Sequence, residues 1–70
     1  MLTLRQWRRA KDISQEHMAS RLGVHLNTYQ NWEKDPGKIS ITNAAKIVDI
    51  LEVSPDEISF EQDPDAEVAI

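Results

Sequence analysis

No cysteine occurs among the 70 residues, which excludes disulfides and thiolate metal sites as sources of stability. The two histidines, His17 and His25, have no surrounding cluster of further ligands, so neither a metal nor another cofactor is expected. Long apolar runs are missing as well, and nothing approaches the roughly 18 residues of a membrane span. The opening Met1-Leu2-Thr3 does not begin a signal peptide, and a cytoplasmic protein is expected. Strand-like alternation is nearly absent, and no repeat with a period of about 20–50 residues is visible. There are no paired catalytic carboxylates, no glycine-rich phosphate loop, and no Ser, His and acid arrangement. A chain this short also encloses little pocket volume, so catalysis is not expected.

Bases are missing from residues 49–70, which hold eight acids. All eight bases (Arg5, Arg8, Arg9, Lys11, Arg21, Lys34, Lys38 and Lys46) fall in residues 1–48 beside only Asp12, Glu16, Glu33 and Asp35. The net charge of −4 therefore conceals a basic front and an acidic rear. Such asymmetry points to a polyanion-facing surface on the first part of the chain. At this length there is room for one core, whose net contribution to stability is about 3–5 kcal/mol.

What is present is a succession of helix signals. Thr3 and Gln6 form a capping-box pair ahead of a helix carrying Leu4 and Trp7, which should stop near Asp12. Ser14 caps a second helix with Met18, Ala19 and Leu22 as its inner stripe, and Gly23 ends it. A third runs from about His25 to Lys34 with Tyr29 and Trp32 inward, then breaks at Asp35-Pro36-Gly37. Ser40 caps a fourth, whose Ile41, Ala44, Ala45, Ile47, Val48 and Leu51 make a wide apolar face, with Glu52 at a strained stop. Ser54-Pro55-Asp56-Glu57 starts a short fifth helix ahead of Ile58 and Phe60. The expectation is an all-α, compact five-helix domain over residues 1–60, with residues 61–70 as an acidic, disordered tail.

Helix, three-to-four-residue turn and helix over Ser14–Lys34 is the geometry of a DNA-binding helix-turn-helix, whose second helix lies in the major groove. The outer face of that helix carries His25, Leu26, Asn27, Gln30 and Asn31, with no acid among them. Carboxamides can pair bidentately with adenine, each good pair giving ~1–3 kcal/mol of base discrimination. Leu26 can pack on a thymine methyl, and His25 can donate to a phosphate or a guanine. Trp7, Tyr29 and Trp32 read as core at this spacing, and Arg5, Arg9, Lys11 and Arg21 as general surface charge, with Arg9 or Arg21 as the alternative phosphate contacts.

The run "SQEHMASRLGVHLNTYQNWEK" resembles the Ser-Gln…Ala…Leu-Gly-Val…Trp-Glu signature of phage repressor and Cro-like regulators, the xenobiotic-response-element type. "LRQWRRAKDIS" and "AAKIVDILEVSPDEI" extend the similarity to about residues 2–59. The resemblance implies a lambda-repressor-like domain and a sequence-specific transcriptional regulator, in the repressor role, acting on a double-stranded DNA operator as a homodimer. It implies that Gln15 contacts a phosphate and braces the third helix. It places His25, Leu26, Asn27, Gln30 and Asn31 at base-reading or flanking positions, and Lys34, Lys38 and Ser40 at the backbone-gripping loop. It also implies a structural ion pair between Arg8 and Glu33. Val53, Ile58 and Phe60 are the expected dimer surface. The rival reading is an antitoxin or adaptor module on the same fold, docking a regulatory protein partner through its acidic rear.

Overall fold

Three hydroxyl caps set helix starts in the computed structural model, which describes residues 2–61. Thr3 Oγ1 accepts the Gln6 N–H at 3.3 Å while Gln6 Oε1 accepts the Thr3 N–H at 2.9 Å. This reciprocal pair starts α1, Leu4–Ala10. Ser14 Oγ accepts the His17 N–H at 3.0 Å and starts α2, Gln15–Leu22. Ser40 Oγ accepts the Asn43 N–H at 3.1 Å and starts α4, Ile41–Leu51. Between them α3, Leu26–Lys34, begins after His25, whose side chain makes no capping bond.

The stops are equally local. Gly23 takes φ +70° after α2, and the Val24 N–H returns to the Ala19 carbonyl at 3.0 Å, so the last carbonyls of the helix are satisfied. Asp12 and Glu52 take φ 58° after α1 and α4. Asp tolerates that region through its short polar side chain, whereas Glu has no such relief. Pro36–Lys38 forms a single 3-10 turn after α3, with Pro36 buried.

The expected fifth helix is absent among the described residues. Pro55–Glu57 makes one 3-10 turn, after which the chain extends. Strands β1, Leu2–Thr3, and β2, Ile58–Ser59, pair in parallel with Leu2 opposite Ile58 and Thr3 opposite Ser59. The start signals at Ser54 and Pro55 are genuine, since the Ser54 N–H donates to Glu57 Oε1 at 3.0 Å. They are overridden because Ile58 reaches the core only from an extended backbone. Trp7 ties the same turn to α1, donating Nε1–H to the Glu57 carbonyl at 3.0 Å.

Leu4, Met18, Ala19, Leu22, Tyr29, Ile47, Leu51 and Ile58 form the buried core. Ile58 is 4% exposed, so it cannot be part of a dimer surface as expected; Val53 and Phe60 are half-buried against the same core. The apolar face of α4 is narrower than its sequence suggests, because Ala45 points outward and Ile41 is 90% exposed. Of the expected tail, residues 62–70 lie outside the described residues, and Glu61 is exposed.

Candidate nucleic-acid interface

α2 and α3 are joined by Gly23, Val24 and His25, a helix-turn-helix in which α3 turns Tyr29 and Glu33 inward. His25, Asn27, Asn31 and Lys34 are exposed. Asn27, Asn31 and Lys34 follow one another at four and three residues, so they make one stripe along the helix. Leu26 and Gln30 lie beside that stripe and are half-buried. Among the described residues no group of three His, Cys, Asp or Glu side chains is placed to hold a metal.

Beneath the stripe runs a buried polar relay. Arg8 is 8% and Glu33 3% exposed. Arg8 Nε donates to Glu33 Oε2 at 2.6 Å, and Arg8 Nη1 donates to the Ile13 carbonyl at 2.8 Å. Gln15 Nε2 donates to Glu33 Oε1 at 2.9 Å, and Gln30 Nε2 donates to Gln15 Oε1 at 3.0 Å. The order is dictated by chemistry: an ionised carboxylate only accepts, so the Gln15 nitrogen must face Glu33 and its oxygen must face Gln30. Gln30 thus spends one N–H on α2, and its carbonyl and second N–H are uncommitted among the described residues.

The Tyr29 hydroxyl lies buried beside this relay without a hydrogen-bond partner among the described residues. Burial first, and the Glu33 carboxylate next, push its ionisation far above the ordinary phenol range. It stays a neutral O–H at any physiological pH.

Around α3 the remaining candidate residues are spread out. Lys38 sits 3.7 Å from Asp35 in an exposed pair, which contributes little in water. Ser40 Oγ accepts the cap bond on α4, which leaves its O–H as a donor. On the opposite flank, a cleft of about 310 Å³ is lined by Arg5, Arg9 and Lys34 around Arg8, Gln15, Gln30 and Glu33. From the sequence, Arg5 reads as general surface charge and Arg9 as surface charge or a phosphate contact. Their four-residue spacing on α1 was the available signal, but nothing local says that this face of α1 lies beside α3.

The model of the helix-turn-helix family matches residues 4–58. The chain is also similar to the cryptic phage CTXphi transcriptional repressor RstR of Vibrio cholerae serotype O1, with 37% identity over 51 residues. That alignment covers 73% of this chain and 46% of the repressor, so the chain spans about half the length of the curated relative it matches. No solved structure matches the chain significantly.

Proposed function

The chain belongs to the helix-turn-helix family, and from that premise we propose that it is a DNA-binding transcriptional regulator, in the repressor role, that reads the major groove with α3. The observation that carries this reading is the stripe of Asn27 and Asn31, exposed and uncharged, on the second helix of the motif. An ordinary solvated face would be built from Glu and Lys. Carboxamides held on a rigid helix offer a donor and an acceptor together, which the adenine edge in the major groove matches. Similarity to a phage transcriptional repressor supports the same reading. His25 and Lys34 at the two ends of α3, with Gln15, Lys38 and Ser40, are placed in the backbone-contacting role, and Leu26 against a thymine methyl.

One α3 reads too few bases for useful specificity, so the proposal includes a homodimer with half-sites about 34 Å apart. Its surface is assigned to Val53 and Phe60, which lie half-buried beside the exposed acids Glu52, Asp56 and Glu57. Like charges brought together there repel, so dimerisation should strengthen with salt while DNA binding weakens. Selection of bound sites from a random duplex pool tests the proposal. It should return a partly symmetric sequence whose affinity falls steeply between 50 and 200 mM salt, roughly as expected for phosphate neutralisation. Recovery of unselected sequence, with retention of a protein partner through residues 49–61, would instead favour the adaptor reading.

A further inference from the structure

The cleft between α1 and α3 has a charge pattern that the reading stripe does not use. Among the described residues the cations Arg5, Arg8, Arg9 and Lys34 line it, and Glu33 is the one acid. Glu33 does not oppose an incoming anion. Its Oε2 takes Arg8 Nε at 2.6 Å and its Oε1 takes Gln15 Nε2 at 2.9 Å, so its charge is offset by Arg8 and each of its oxygens already accepts a hydrogen bond. The field in the cleft is therefore set by the rim, where Arg9 and Lys34 are exposed and, among the described residues, make no ion pair. Gln30 is both a wall of this cleft and a neighbour of the Asn27–Asn31 stripe. A duplex seated on that stripe carries one negative charge per roughly 1.7 Å of its axis, and Lys34 belongs both to the stripe and to the cleft lining.

We infer that this cleft is a second backbone-gripping site, in which Arg9 and Lys34 neutralise phosphates of the duplex that α3 reads. The inference rests on the DNA-binding reading and adds to it a set of contacts from α1. It assigns the cleft to phosphodiester in a duplex, with free phosphate as the competing source of the same chemistry. Two consequences are specific. Contacts of this kind are blind to sequence, so their loss weakens all duplexes alike. Each lost phosphate contact also lowers the steepness of the salt dependence by about 0.9 in the slope of log affinity against log salt.

The test measures salt-dependent binding of the intact chain to its selected duplex and to a scrambled one. Four proteins are compared: the unsubstituted chain, Arg9→Gln, Lys34→Gln, and Arg21→Gln as a control. Arg21 lines a different hollow with Lys46, Asp49 and Ile50, so Arg21→Gln changes net charge equally without touching the cleft. Arg9→Gln and Lys34→Gln should each reduce the slope by about 0.9 and weaken both duplexes by a similar factor, while Arg21→Gln leaves the slope unaltered. Equal slopes for the unsubstituted chain and Arg9→Gln, with the unsubstituted chain still binding its duplex, overturn the cleft and leave standing the parent reading, which already gives Lys34 a phosphate. Failure of the unsubstituted chain to bind any duplex overturns both. Inorganic phosphate that binds the free chain in 0.15 M chloride, and is lost in Arg9→Gln, overturns the duplex assignment in favour of a small phosphate ligand.

Discussion

Gln30 on α3 and Gln15 on α2 are joined carboxamide to carboxamide at 3.0 Å, and the same Gln15 is held at 2.9 Å by Glu33. A side chain at the edge of the proposed reading face is thereby oriented by a carboxylate it never touches. Gln30 loses less rotamer freedom on binding than an unrestrained side chain would, because that freedom has already been spent in folding. Its behaviour on substitution should betray the coupling.

Gln15→Ala releases Gln30, so Gln15→Ala and Gln30→Ala should overlap in their effect on DNA affinity, with an interaction energy of about 0.5–3 kcal/mol in a double-mutant cycle. Asn27 is exposed and outside the relay, so Asn27→Ala should add to Gln15→Ala within about 0.5 kcal/mol. Asn27→Ala should also shift base preference at one or two positions, costing ~1–3 kcal/mol on the preferred duplex. Strict additivity of the two glutamine substitutions in fluorescence anisotropy would show that the relay does not act on recognition.

The Arg8–Glu33 pair is almost fully buried. Removing one partner strands the other charge at a cost of about 3–5 kcal/mol. That equals the whole net stability expected of a core this size. Arg8→Met and Glu33→Leu should each be largely unfolded at 25 °C by circular dichroism, whereas the combined variant should recover most of the helical signal. A combined variant no better folded than either single one would mean that the pair is uncoupled.

Tyr29 makes a pH prediction with a definite sign. Its ordinary ionisation lies at 10.0, and burial, followed by Glu33, raises it further in the folded chain. The stability that goes with the neutral hydroxyl is complete below about pH 10 and declines as pH rises beyond it, since the unfolded chain then releases a proton that the folded one retains. Tyr29→Phe should flatten this alkaline decline in urea titrations. At pH 7 it should change stability by less than about 1 kcal/mol, because the hydroxyl it deletes makes no well-aligned hydrogen bond among the described residues. A loss of more than about 1 kcal/mol at pH 7 would show that the hydroxyl is satisfied after all.

Glu52 closes α4 at φ 58°, a conformation that costs an L-residue about 1–2 kcal/mol and glycine almost nothing. Glu52→Gly should raise stability by about 0.5–1 kcal/mol once the entropy of the added glycine is subtracted. The opposite exchange, Gly23→Ala, should destabilise through the backbone alone, since a Cβ there meets nothing within 4 Å. Urea midpoints moving in opposite directions for the two variants check the argument; a stabilised Gly23→Ala would contradict it.

Local chemistry was legible directly in the residues. Thr3, Ser14 and Ser40 sit three residues before the N–H groups they cap, and Asp12, Gly23 and Glu52 stop helices through their own φ. Each of these decisions is taken within a few residues, so a linear reading suffices, and the helix-turn-helix follows from the spacing of two of them. Long-range packing chose the rest. Ile58 left the expected fifth helix for a strand because Leu2, far away in the chain, offered a pairing partner and the core offered a cavity. Arg8, Gln15, Gln30 and Glu33 converge only after α1 crosses the motif, which also turns Arg9 toward Lys34. Burial and through-space charge depend on distances that the order of residues does not contain, and folding alone supplies them.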